Sequence, residues 1–178
     1  MQADIGTLLI IAGLFLVVFH GMKRQSSVVV APIISASDTT LADRLWTSIG
    51  KPGAPGERFD KRGVVTVTGT VVGKEPHFNT DGDLVFGLMP DAPFKNLLTA
   101  ASAKHTISGG GLWCEAVCQK ANTSSEEVHQ GDCARGGPFP KFPTPKMGEK
   151  WSVTGLHVID IREGGHAEIH PIVRMSKI

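Results

Sequence analysis

Tyrosine is absent from this chain of 178 residues, and aromatic side chains make up only 6% of it. Platforms that stack bases or sugars need more aromatic surface than that. Charge of either sign is also scarce in excess. Eighteen basic residues stand against seventeen acidic ones, a net charge of +1, so no basic field draws in nucleic acid. Cysteine is limited to three residues. The spacing Cys-x-x-x-Cys at Cys114 and Cys118 is weak evidence for a metal, and no Cys-x-x-Cys-His haem signature occurs. No cofactor is expected.

Glycine and proline, by contrast, are plentiful, at 21 and 11 residues. Such a turn-rich chain favours short strands over long helices. The length suits one domain of ordinary size plus an appendage.

The appendage is the one long apolar run. From Ile5 to Met22 the interruptions are Gly6, Thr7, Gly13, His20 and Gly21. As a helix the run spans roughly 27 Å, enough for a bilayer core. A cleavable signal peptide would need a positive start and a small-x-small cleavage site, and neither "MQAD" nor "FHGMKR" supplies one. Residues 1–24 therefore read as an uncleaved single-pass transmembrane anchor in contact with membrane lipid. Gly6 and Gly13 would allow it to pack against other helices. Lys23 and Arg24 favour a cytoplasmic domain by the positive-inside rule. The cysteines favour the opposite, extracytoplasmic side.

Residues 25–63 read as a linker with a short helix. Asp38 can cap a helix running to about Ile49, with Leu41, Leu45 and Ile49 in one apolar stripe. Residues 50–63 read as loop.

Residues 64–178 change to a period of two. Val65, Val67 and Val71 face one way and Thr66, Thr68 and Thr70 the other, the pattern of a half-buried strand. Leu84, Phe86 and Leu88 alternate in a second strand, entered through a turn near Asp81-Gly82. Residues 92–103 read as a short helix. Strands follow at 110–118, 150–160 and 166–175, with Gly164-Gly165 turning between the last two, and the stretch 119–148 reads as loop. The fold class is mainly β, a small five-stranded barrel of the oligonucleotide/oligosaccharide-binding (OB) type with one or two short helices. "Val-Thr-Gly" occurs in two strands, ending at Gly69 and Gly155, as a shared solution to barrel curvature.

The run "VTVTGTVV", "DGDLVFGL", Cys118, Cys133, "WSVTGLHVID" and "AEIHPI" resembles bacterial OB-fold-like modules that often follow a signal or anchor. Their typical ending is Asp-x-x-His-Gly-Trp-x-Glu-Ile-His-Pro. The resemblance covers about residues 64–175 and matches at Glu168, Ile169, His170 and Pro171. It departs at Gly164, where the motif has His, and at His166, where it has Trp. It implies a fold and no particular reaction.

Four groups of residues could carry chemistry. His166, Glu168 and His170 share one face of the last strand. The two histidines lie roughly 13 Å apart along an extended strand, too far to share an ion with bonds of about 2.0–2.2 Å. His157 and Asp160 on the preceding strand are available neighbours. The bland reading is a polar closing strand, with Pro171 ending donation at a strand end. The second group, Asp81 and Asp83 in "NTDGD", has alternating oxygen ligands suited to calcium, but a tight hairpin turn explains it without any ligand and is the preferred reading. It lacks the carboxylate and arginine set of thermonuclease-like enzymes. Third, Cys118 and Cys133 flank a fourteen-residue loop and could form a disulfide worth roughly 3 kcal/mol, which implies an oxidising compartment. Cys114 is left over. Fourth, Lys141, Lys146 and Lys150 lie near Phe139, Phe142 and Trp151, a groove that could bind a single strand, though nucleic acid is an unlikely partner at this net charge.

Three functions remain open. The chain reads first as a membrane-anchored, non-enzymatic OB-like accessory or interaction module, a subunit of a membrane assembly with protein partners through its helix or barrel. A metal-dependent hydrolase built on His166, Glu168, His170, Asp81 and Asp83 is the second reading. A binder of oligosaccharide or single-stranded nucleic acid is the third.

Overall fold

Alternating valines and threonines in the middle of the chain become the longest strand of the computed structural model, which describes residues 34–49, 58–121 and 139–178. Strand β1 (Phe59–Phe78) is followed by β2 (Leu84–Pro90), β3 (Leu112–Ala116), β4 (Lys150–Asp160) and β5 (His166–Lys177). They pair in the order β1-β2-β3-β5-β4, and β4 returns to β1, so the barrel closes. All pairs are antiparallel except β3 with β5, which run parallel with Trp113 opposite Glu168.

Closure needs bends, and the glycines supply room for them. A Cβ on Gly155 would meet the Pro171 carbonyl oxygen at 2.5 Å, and one on Gly69 the Met89 oxygen at 2.4 Å. Both "Val-Thr-Gly" stretches thus let backbones approach where a side chain would hold them apart. β1 begins at Phe59, inside the stretch expected to be loop, because it pairs with β4 as far as Asp160 across a register shift near Gly63.

Alternation fills the interior. Val67, Val71, Leu84, Phe86, Leu88, Leu112, Cys114, Val153 and Ile169 are buried there together. The opposite side of β1 is not simply solvated, since Thr66 is buried and shares a 2.8 Å hydroxyl hydrogen bond with Thr154 of β4. β5 does not stop at Pro171. It runs on to Lys177, and the register against β4 shifts between Gly155 and His157, where the missing proline N–H falls.

Helix α1 (Ala36–Ile49) packs outside the barrel. Its N-terminal cap is Ser35 instead of Asp38. Ser35 Oγ accepts the Asp38 amide at 3.2 Å, and Asp38 Oδ2 accepts the Ser35 amide at 3.0 Å, a reciprocal capping box. The Ser35 amide and hydroxyl hold the Asp38 carboxyl below its ordinary range. Leu45, with Ala42 and Trp46, buries against Leu156, Val158 and Val173 of β4 and β5, and Leu41 packs beside them. The side chain of Ile49 lies outside the described residues.

The expected helix over 92–103 is two 3-10 turns, Ala92–Leu97 and Ser102–Lys104. Between them Thr99 and Ser102 exchange side-chain-to-amide hydrogen bonds at 3.1 and 3.2 Å, a local alternative that interrupts a helix. Among the described residues no helix is long and apolar enough to cross a membrane. The anchor expected at residues 1–24, and Cys133, lie outside the described residues.

Candidate functional site

The outward face of β5 presents His166, Glu168 and His170, since Ala167 and Ile169 point into the barrel. All three outward side chains are covered. Glu168 and His166 are each only 2% exposed, and His170 is half-buried against the rings of Trp46 and Phe59, with centroids 6.2 and 5.6 Å away.

Strand geometry separates the two histidines, as expected, but it does not keep them apart chemically. Glu168 stands between them and uses one carboxylate oxygen for each. His166 Nε2 lies 2.8 Å from Oε1, and His170 Nδ1 lies 3.4 Å from Oε2. The His166 approach is an ion pair off the hydrogen-bond axis, and its Nδ1–H donates to the Glu163 carbonyl at 3.0 Å. A carboxylate reaching both ways spans a gap that a single ion cannot.

The parallel seam brings in a fourth group. Glu115 of β3 sits beside His170, with Oε2 3.1 Å from Nδ1, and its Oε1 accepts the Trp113 indole N–H at 2.7 Å. Asp83, just before β2, completes the wall. It is 7% exposed, and its Oδ1 accepts the Cys118 amide at 2.6 Å. His105 stacks flat on His166, 4.0 Å between centroids and 5° between planes. Its Nδ1–H donates to Ser108 Oγ at 2.9 Å.

Electrostatics follow from this crowding. Burial pushes Asp83 up to about 7, reinforced by Glu115 and Asp81. Burial likewise raises Glu115. Burial opposes charge on Glu168, yet the two imidazoles hold it down at about 2. His170 is resisted by burial but raised to about 9 by Glu115 and Glu168. His166 is raised by Glu168 against the same resistance, while burial and the facing His166 lower His105. Burial thus works against charge on His105, while Glu168 favours charge on the His166 ring stacked against it.

The structure therefore brings together His166, Glu168, His170 and Asp83. One ligand atom from each of Asp83, Glu115 and His170 lies within 4.8 Å of the other two, the one such trio among the described residues. Three other expected residues serve the scaffold. Asp81 Oδ1 accepts the Asp83 amide at 3.1 Å within the turn. Asp160 is fully buried, accepting Arg58 Nε at 2.7 Å and the amides of Arg162 and Glu163 at 3.0 Å in the β4–β5 hairpin. His157 Nε2–H donates to the Leu97 carbonyl at 3.1 Å, away from the cluster.

Glu115 and His105 escape a reading of the sequence. Glu115 alternates with Leu112, Cys114 and Ala116, and a lone charge facing outward on a strand reads as solvated. Only the non-local β3–β5 pairing shows otherwise. No protein family, curated protein or solved structure matches this chain.

Proposed function

We propose that the chain is a membrane-anchored, OB-like barrel module acting without catalysis, as an accessory or interaction subunit of a membrane assembly. The observation that carries this reading is the burial and mutual pairing of the polar wall. Glu168 serves His166 and His170, Glu115 serves His170 and Trp113, and Asp83 serves the Cys118 amide. These groups hold strands to one another beneath Trp46 and Phe59. The strand order β1-β2-β3-β5-β4 supports the OB-like assignment, being that of a five-stranded Greek-key barrel.

The apolar run at residues 5–22 supports the anchor. Cys114 is free and buried in the barrel interior, which leaves Cys118 and Cys133 as the pair for a disulfide. Such a bridge requires an oxidising compartment, which favours the extracytoplasmic side for the barrel.

Purification of the intact protein from its own membrane in mild detergent tests the subunit role. A stoichiometric partner is expected, and a lone monomer sinks the reading. Thiol counting on the denatured chain tests the compartment. One reactive thiol is expected, whereas three return the barrel to a reducing side.

A further inference from the structure

The wall outside β5 holds more negative than positive groups. Asp83, Glu115 and Glu168 face His170, and only one further imidazole capable of charge, that of His166, is paired with them. His105, stacked on His166, is held toward its neutral form by burial. Asp81 adds another carboxylate nearby. Three carboxyl groups thus crowd two imidazoles in one covered wall, and charged groups persist in such places when paired or bound to a metal.

The positions also converge. Asp83 precedes β2, Glu115 lies on β3 and His170 on β5, three strands that pair in succession. Their ligand atoms lie within 4.8 Å of one another. Bonds of about 2.0–2.2 Å to a tetrahedral ion place neighbouring ligand atoms about 3–4 Å apart. Carboxylate oxygens of Glu115 and Glu168 already take up His170 Nδ1, at 3.1 and 3.4 Å, which leaves Nε2 as the nitrogen free to ligate. A second observation points the same way: His170 Nε2 is buried without a hydrogen-bond partner, so this imidazole is not satisfied by the protein around it.

We propose that Asp83, Glu115 and His170 form a structural site for a divalent cation of the zinc class, clamping β2, β3 and β5 together, with Glu168 as the positioning residue that orients the His170 ring. One imidazole and two carboxylates suit zinc. A carboxylate behind a ligating histidine is the common supporting contact. The site is structural because its three residues are largely covered, His170 by Trp46 and Phe59.

The test uses the full chain in mild detergent, stripped with chelator and titrated with zinc chloride alone. Bound metal is measured by emission spectroscopy and the thermal midpoint is followed. About one zinc per chain and a raised midpoint are expected. Asp83→Asn and Glu115→Gln each remove a buried negative charge. Without zinc their midpoints should equal or exceed that of the unsubstituted chain, yet zinc should no longer raise them. Glu168→Gln should weaken zinc about 10–100-fold. Failure of the unsubstituted chain to retain zinc overturns the proposal. So does retention of full zinc affinity by both Asp83→Asn and Glu115→Gln, which would place the metal on other donors.

Discussion

The barrel interior and the outer wall beneath α1 are both shielded from water, and they are built from opposite materials. Inside, Phe86, Leu88, Leu112 and Ile169 are buried together in one apolar cluster. Outside, the buried residues include Glu168, His166 and Asp83 beside Trp46, Leu156 and Val158. Burial alone therefore does not decide polarity. The interior is enclosed by the strands themselves, so every inward position sees the same apolar surroundings. The outer wall is enclosed by a helix on one side and by turns carrying His105 on the other. At the junction of those covers, charged groups remain where each can reach a partner.

Substitutions can pull the two regions apart. The largest effect is expected from Phe86→Ala, which leaves a cavity in the interior and should cost about 3–5 kcal/mol in urea unfolding. Glu168→Ala should cost nearly as much, about 3–5 kcal/mol, for a different reason: it strands two imidazoles beside Glu115 without the charge between them. The difference shows under conservative replacement. Leu88→Met should cost under about 1.5 kcal/mol, because volume is kept and nothing polar is orphaned. A loss of similar size in both regions on conservative replacement would erase the distinction.

The Thr66–Thr154 pair tests the same distinction more finely. Thr66→Val alone should destabilise by about 1–3 kcal/mol by orphaning the Thr154 hydroxyl, and the double change to valine should be nearly neutral. Ser35→Ala, at the entry of α1, should cost about 1 kcal/mol, most readily seen as a lower thermal midpoint.

The smallest effect concerns acid. Burial lowers His157 below its ordinary value of 6.5. Its contribution is intact above pH 6.5 and is lost as pH falls from there through the folded-state value, because the unfolded chain then binds a proton that the folded chain resists. The stability of the unsubstituted chain relative to His157→Gln should therefore be level above pH 6.5 and fall as the pH drops below it. A constant difference on both sides of pH 6.5 would show that His157 is not desolvated as described.

What could be read before folding follows the same division. The alternation of Leu84, Phe86 and Leu88 needs only neighbours along the chain, so the interior strands are legible in sequence. So is Leu45 on one face of α1. The turn at Asp81-Gly82 is equally local: Gly82 has φ +89° and its amide bonds to Asn79 O at 3.0 Å. The meeting of Glu115 with His170 depends on two strands that are parallel and far apart in sequence. No local pattern encodes that register. Extended-strand spacing sets His166 and His170 apart, but it does not reveal the reach of the Glu168 side chain between them. The helix expected at 92–103 failed because Thr99 and Ser102 satisfy the backbone themselves.

Cys114 gives the barrel a built-in clock. Its thiol is fully buried among Phe86, Ile169 and their neighbours, and burial pushes its pKa well above the ordinary value. Alkylation requires a thiolate in contact with water. A maleimide present in excess can therefore modify this sulfur only during moments when the staves separate, and the pace of labelling reports how often they do.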